Sequence, residues 1–234
     1  MRQFQQLIWA ALLAGFTAGT ILFVYQELAV VPRIVEAEAW EVRDEAAEPE
    51  VVRHRPSEWK PSEGFERNFF TAVSTILTGI GYAALMLSII TLGGFVLNVR
   101  RGLFWGLAGF ACFVVAPAFD LPPLPPGVTV PDLRARQLSW VFTAAATAIG
   151  LFLTVPRSRG WISTVAGGLL LLLPHLFGPP RIIQPQTVPA DLIRAFSAAV
   201  IVGNALFWLV LGALTGFLLD RTRKTEGSGA PSRY

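Results

Sequence analysis

Four side chains of types that bind divalent transition metals lie close to the ends of apolar segments: Glu36, Glu38, Asp120 and His175. Each of them follows a proline within a few residues. Carboxylates together with one imidazole suit a borderline metal such as Co, Ni or Zn, and the affinity order gives little selectivity among these ions. We therefore predict that these four residues are metal ligands.

Each of these residues also has an explanation that involves no metal. The glutamates lie in "EAEAWEVRDEAAEPE" (36–50), whose acidic composition is typical of a solvated, amphipathic or disordered segment. For Asp120 a loop cap is the favoured explanation. His175 is explained as an interfacial side chain bonded to a backbone carbonyl that the neighbouring prolines leave free. The residues alone leave both explanations open.

No catalytic arrangement is found in the sequence. It contains no HExxH, GxSxG, CxxC or Walker A motif, and neither of its lysines, Lys60 and Lys224, follows a glycine-rich turn. His54 and His175 are the only histidines, so this chain alone has no multi-histidine metal site. Cys112 is the only cysteine and is predicted to be a small buried apolar residue. We predict that the protein is not an enzyme and binds no permanent cofactor.

The composition is that of an integral membrane protein. Of the 234 residues, 53% are hydrophobic and 15% are charged, against about 25% charged in a typical soluble domain. Several stretches of roughly 18 or more residues without charge are long enough to cross the hydrocarbon core as helices. Helices are the consistent choice, because an open sheet cannot satisfy its backbone in lipid and the alternation of a barrel is missing.

We predict an all-α, polytopic transmembrane helical bundle of about six spans, forming one membrane domain over 1–234. The predicted spans are 7–31, 69–97, 102–119, 138–155, 161–177 and 197–219. Residues 32–68 are predicted to form an acidic extracytoplasmic loop, and 221–234 a flexible cytoplasmic tail.

Charge predicts the orientation, because Lys and Arg resist translocation. One side has nine basic and two acidic residues, and the other has ten basic and fourteen acidic residues. Both termini are therefore predicted to be cytoplasmic, in a multi-pass protein of the cell's inner membrane. The first span is too long for a secretory signal and is expected to be retained. The net charge of +3 reflects this asymmetry and gives no reason to invoke nucleic acid.

The sequence contains an internal repeat. Residues 101–155 resemble residues 159–219 at a shift of 58, and "VPDLRARQLS" (130–139) matches "VPADLIRAFS" (188–197). This indicates a duplicated helical hairpin. A weaker likeness of "TGIG" to "TAIG" extends the pattern to three hairpins in the same orientation, which are parallel repeats about an axis along the membrane normal.

Small residues four apart predict close helix packing in lipid. They are Gly15 with Gly19, Gly102 with Gly106, and Gly212 with Gly216. The segment "GIGYAA" (79–84) loosely resembles a dinucleotide-binding fingerprint. It lies inside an apolar run with no preceding strand, so we assign it no such function.

Four segments in series resemble the CbtA family, the probable cobalt transporter subunits of bacterial and archaeal membranes. They are "VVPRIVEAEAWE" (30–41), "RGLFWGLAGFACFVVAPAF" (101–119), "LPHLFGPP" (173–180) and "NALFWLVLGALTGFLLD" (204–220). The likeness includes all six predicted spans, although family members are often described with five.

The resemblance implies a subunit for cobalt uptake linked to cobalamin synthesis. It also implies a small single-span partner, CbtB, whose histidine-bearing tail supplies imidazoles that this chain lacks. It strengthens the assignment of Glu36, Glu38 and His175 as metal ligands. Asp120 ranks below them, since its register is shifted by one relative to His175.

Two functions from different classes follow. In the first, the protein imports a divalent cation, cobalt or nickel, which gathers at the acidic loop, binds Glu36, Glu38 and His175, and enters between the repeats. The sequence has no ATP-binding motif, so the energy comes from a gradient or from another subunit. In the second, the protein is a non-transporting membrane scaffold or assembly protein that binds a partner through its first loop.

Overall fold

The computed structural model describes residues 2–47, 61–62, 64–128, 130, 132–154, 160–177 and 187–228. Most of these residues are helical, and none of them is in a strand. The prediction of an all-α membrane bundle is confirmed.

The helices are named in chain order. They are α1 (Arg2–Tyr25), α2 (Val31–Ala47), α3 (Phe65–Leu92), α4 (Val99–Phe110), α5 (Ala116–Asp120), α6 (Leu133–Thr154), α7 (Trp161–Phe177) and α8 (Ala190–Ser228). A first π turn, Gln26–Val30, joins α1 to α2 without a break, and a second π turn, Ala111–Val115, joins α4 to α5.

In the described part of the chain, five helical segments are long and apolar enough to cross a membrane: Phe4–Trp40, Phe65–Leu92, Val99–Asp120, Leu133–Thr154 and Ala190–Lys224. A shorter apolar helix, α7, has 17 residues. At about 1.5 Å per residue α7 is roughly 25 Å long, close to the thickness of about 30 Å of the hydrocarbon core. Each of the six predicted spans overlaps one of these segments.

The ends of the first and last helices differ from the predicted boundaries. Helix continues from the first π turn through α2 to Ala47, over residues that the sequence predicts as loop. Pro32 lies inside this continuous helix, two residues after the first π turn, although a proline usually ends or kinks a helix. Likewise α8 extends to Ser228, into the predicted tail. Residues 48–60 of the acidic loop and 229–234 of the tail lie outside the described residues.

The chain divides into two compact units. The first unit consists of Met1–Gln26, Glu58–Leu107 and Gly203–Tyr234, and the second of Glu27–Ser57 and Ala108–Val202.

In the first unit, α1 packs against α3 through glycine. Gly15 lies against the backbone of α3 at Gly79 and Ile80, and Gly19 lies against it at Thr75 and Ile76. A Cβ at Gly79 would be 2.6 Å from the carbonyl oxygen of Gly15. Such contact requires the absence of side chains, since real Cβ atoms do not approach so closely. Gly79 of "GIGYAA" therefore serves helix packing.

In the same unit, the predicted small-residue pairs of α4 and α8 pack into each other. A Cβ added at Gly102 would collide with the carbonyl of Gly212, and one at Gly212 would collide with the carbonyl of Gly102. Gly106 lies in the same way against Trp208. The prediction that these glycines bring two helices together is confirmed.

Polar and aromatic side chains connect α3 to α8 in this unit. The hydroxyl of Thr215, which is fully buried, lies 3.5 Å from the sulfur of Met86 and also donates to the carbonyl of Leu211. The ring of Tyr82 contacts that of Trp208, with centroids 5.0 Å apart. A threonine that bonds its own helix carbonyl can be buried in lipid without cost from an unpaired hydroxyl.

The turn between α3 and α4 is fixed by local capping. Gly94 has a φ of +63°, and the N–H of Phe95 bonds the carbonyl of Ile90, which ends α3 in a Schellman motif. Asn98 then caps α4, because its Oδ1 accepts the N–H of Arg101 at 2.9 Å.

In the second unit, α6 and α7 pack at a further pair of glycines. A Cβ at Gly150 would lie 2.9 Å from the carbonyl oxygen of Gly167, and one at Gly167 would lie 2.7 Å from that of Gly150. Ser163 at the start of α7 donates to the carbonyl of Leu153 near the end of α6, at 3.0 Å. These contacts hold the two helices in register.

An apolar cluster ties α2 to the rest of this unit. Ala37, which is fully buried, packs with Val128, Val188 and Leu192. The hydroxyl of Ser197 donates to the carbonyl of Pro123 at 2.6 Å and so holds the chain at Pro123 against α8. This cluster explains why residues beyond Pro32 stay helical, since α2 has an apolar face to bury.

Two adjacent glycines of α7 allow a matched test of the close approach. We expect Gly167→Ala to lower the free energy of unfolding by about 1–3 kcal/mol, because its Cβ meets the backbone of α6. Gly168 has no neighbour within 4 Å, so we expect Gly168→Ala to be neutral or to stabilise by up to about 1 kcal/mol through higher helix propensity.

The measurement is unfolding of the detergent-solubilised protein. Equal effects of the two substitutions would show that helix packing at Gly167 does not depend on backbone contact.

Candidate cation site

Asp120 is placed by a helix end that proline shapes. Pro117 has no N–H to donate to the preceding turn, and the second π turn comes just before it. The N–H of Leu121 bonds the carbonyl of Pro117 at 2.8 Å, and the backbone then leaves the helix at Leu121. The Asp120 carboxylate therefore lies at the carbonyl end of a helix.

Each of the two π turns is followed by a proline at the same distance along the chain. The first π turn ends at Val30 and Pro32 follows two residues later, and the second ends at Val115 and is followed by Pro117 at the same offset. A π turn widens the helix by one residue per turn, which relieves the clash of a proline ring with the preceding carbonyl. Proline thus accounts for both departures from α-helical geometry.

His175 is also placed at a helix end next to proline. Pro174 lies inside the last turn of α7, is buried, and cannot donate to the carbonyl of Leu170. His175 follows it directly and belongs to the last turn. The partial negative charge at a helix C-terminus favours a cationic group there, either an imidazolium or a bound metal ion.

The structure brings these two residues together. His175 Nδ1 lies 2.6 Å from Asp120 Oδ2, a distance typical of a charge-assisted hydrogen bond. The His175 side chain is 28% exposed and the Asp120 side chain 16% exposed, so the pair is partly buried but still accessible from outside the protein. The edge of the Phe119 ring packs against the imidazole, with centroids 6.0 Å apart.

This arrangement sets the chemistry of the imidazole. A carboxylate accepts hydrogen bonds, so Nδ1 donates to Asp120, and in the neutral imidazole the lone pair that can bind a metal is then on Nε2. A histidine whose other nitrogen bonds a carboxylate is the usual form of a metal-binding histidine, because the carboxylate fixes the ring and raises its basicity. The pair is thus suited to a cation held by Nε2 with Asp120 as its support.

The two predicted glutamates lie elsewhere on the same unit, on α2. Glu36 is exposed and Glu38 is half-buried, and between them Ala37 points into the apolar cluster. Residues two apart on a helix do not face each other, so the two carboxylates do not act as a pair on one face. Among the described residues no group of three or more His, Cys, Asp or Glu could hold a metal ion.

The sequence prediction ranked Asp120 below the other three, and the structure makes it the direct partner of His175. The ranking compared the two positions by their register in the sequence, in which Asp120 is shifted by one relative to His175. The sequence did contain a signal for this pairing, since Asp120 and His175 both lie near a proline at the end of an apolar segment. Cys112, in the second π turn, is buried as predicted.

The helices and this pair define the class of the molecule, a polytopic α-helical membrane protein with a histidine–carboxylate pair at adjoining helix ends. The chain belongs to the CbtA family, since the family model described as "Probable cobalt transporter subunit (CbtA)" matches residues 4–220. The match contains the four predicted ligands. No curated protein and no solved structure matches the chain.

The contribution of the pair to stability can be measured with a double-mutant cycle. For His175→Ala and Asp120→Ala we expect a coupling free energy of about 1–2 kcal/mol, because the hydrogen bond is charge-assisted and partly buried. The matched control is the Lys224–Asp220 pair, in which the two charged atoms are 2.7 Å apart and the lysine is 76% exposed. For this pair we expect a coupling free energy of about 0.3–0.5 kcal/mol.

Unfolding free energies of the single and double variants in detergent give both couplings. A value for the His175 pair no larger than that for the control would contradict a sheltered, charge-assisted bond.

Proposed function

We propose that this chain is the membrane-spanning subunit of an importer for a divalent transition metal, most specifically cobalt taken up for cobalamin synthesis. The observation that carries the proposal is the His175–Asp120 pair, in a chain whose family is that of a probable cobalt transporter subunit. An imidazole and a carboxylate are ligands that Co²⁺ and Ni²⁺ accept, and Mg²⁺ and Ca²⁺ prefer oxygen alone.

Two residues do not fill the coordination shell of such an ion. Water and a partner subunit are the sources of further ligands, because Glu36 and Glu38 do not form a group with the pair in the described structure. A small single-span protein with a histidine-bearing tail, like CbtB, fits this need, because this chain has two histidines in all. If the ligands of the ion come from two subunits, neither subunit binds the ion tightly by itself, and the ion can pass from one to the other.

The charge pattern supports collection of cations on one side. Fourteen acidic residues lie on the side predicted to face outwards, and many of them fall between residues 36 and 50. A locally negative surface raises the concentration of cations next to it. We propose that the cation then meets the His175–Asp120 pair, driven by an ion gradient or by another subunit. The non-transporting scaffold remains the competing function.

Uptake of radiolabelled cobalt tests the site. The deletion strain of the native host is complemented with the wild-type gene, with His175→Gln, with Asp120→Asn, or with Glu36→Gln. We expect a fall of about 10–100-fold for the first two variants, the range found when a metal-binding histidine loses its support. We expect a smaller fall for Glu36→Gln, since its side chain is exposed.

The double variant Asp120→Asn with His175→Gln separates binding from structure, because the two amides can still hydrogen-bond each other. Normal uptake by this variant would limit the pair to a structural role. No cobalt uptake by the wild-type strain above the deletion strain would favour the scaffold.

The proposed orientation has its own test. We expect green fluorescent protein fused after Lys224 to fluoresce, and alkaline phosphatase at the same place to be inactive, because nine basic residues keep that side in the cytoplasm. Alkaline phosphatase inserted between residues 50 and 55 should be active. An active phosphatase at the C-terminus would reverse the topology. Arg157 and Arg159, which contribute to this prediction, lie outside the described residues.

A further inference from the structure

Glu27 is the single charged residue between positions 3 and 32, a segment of otherwise apolar and uncharged polar side chains. It lies in the first π turn, within the apolar helical segment Phe4–Trp40. Ionisable residues inside membrane spans are rare because they are costly, and where they occur they mark ion pathways and relays.

One oxygen of the Glu27 carboxylate has no hydrogen-bond partner in the described part of the chain. Oε1 is buried and makes no hydrogen bond. Glu27 belongs neither to the His175–Asp120 pair nor to the Lys224–Asp220 pair. A buried carboxylate oxygen without a donor is unfavourable by itself, so a site of this kind calls for a ligand.

The polar groups next to Glu27 in the sequence are occupied elsewhere. The Gln26 side chain accepts the hydroxyl of Thr75 at 3.2 Å. The Arg33 guanidinium, the nearest cation along the helix, donates to the carbonyl of Ala29. The arginine thus serves the backbone of the π turn instead of the carboxylate.

The π turn adds oxygen atoms to this setting. Pro32 has no N–H for the carbonyls of the turn before it, at Leu28 in α register or Glu27 in π register. Carbonyls released where a helix is interrupted are ion ligands in membrane proteins, and π turns recur at functional sites. The Glu27 carboxylate together with one of these carbonyls would offer a cation oxygen ligands only.

We propose that Glu27 is a second binding position for the transported cation, inside the membrane span and separate from Glu36. This inference rests on the proposed transport function. Nine residues, roughly 13 Å of helix, separate Glu27 from Glu36, so one ion cannot bind both. Oxygen ligands hold Co²⁺ less tightly than imidazole does. A cation can therefore bind at Glu27 and leave again during transport, whereas a site that bound it more tightly would retain it.

Uptake of radiolabelled cobalt by Glu27→Gln, in the complemented deletion strain, is the first measurement. We expect a fall of about tenfold or more, in the range typical of a weakened metal site. Glu27→Asp, which keeps the carboxylate, should recover part of the uptake. Glu66→Gln is the matched control, because Glu66 accepts hydrogen bonds from Ser62 at the start of α3, and it should transport like the wild type.

The second measurement does not depend on transport. Dicyclohexylcarbodiimide, an apolar reagent that modifies carboxyl groups within membranes, is applied to purified protein and mapped by mass spectrometry. We expect modification of Glu27, its loss in Glu27→Gln, and protection of the wild-type residue by Co²⁺. This readout also covers the case in which Glu27→Gln fails to fold.

The outcomes separate the two proposals. Wild-type protein that takes up no cobalt overturns the proposed function. Uptake by Glu27→Gln equal to that of the wild type, or modification of Glu27 that Co²⁺ does not change, overturns this inference and leaves the His175–Asp120 proposal standing.

Discussion

A chain in hydrocarbon must satisfy its backbone hydrogen bonds internally, and this constraint organises the protein. It makes every long apolar segment a helix. It also removes the hydrophobic driving force between helices, since lipid is as apolar as the helix surface, so association depends on close contact. The glycines meet this need: Gly15 with Gly79, Gly102 with Gly212, and the α6–α7 pair place backbone directly on backbone.

The candidate site lies where that constraint is relaxed. Helix ends and prolines leave carbonyls without an N–H partner, and such carbonyls attract cations. Asp120 at a helix C-terminus is electrostatically unfavourable by itself, since the helix end already has partial negative charge. His175 relieves this by donating a hydrogen bond, and it is itself favoured at the end of α7. The two residues therefore suit their positions as a pair better than either does alone.

The sequence predicted those parts of the fold that have one physical solution. Apolar runs of membrane length can only be helices, and small residues four apart can only serve one helix face. The pairing of His175 with Asp120 could not be predicted in the same way, because it depends on how two helices are rotated, and their offsets from proline differ. The extension through α2 was missed for a related reason. A proline usually ends or kinks a helix, but here the helix continues through Pro32, which follows the first π turn.

The two π turns have a further meaning. A helical turn closed by i to i+5 bonds contains one residue more than an α-helical turn, so it can hold an inserted residue without displacing the helix on either side. Without that turn, an insertion before Glu36 would rotate everything beyond it by about 100°. In Gln26–Val30 and Ala111–Val115 the chain thus contains one residue more than an α-helical turn would, while helix continues on both sides. These segments are places where the chain length can change while the positions of the polar residues stay fixed.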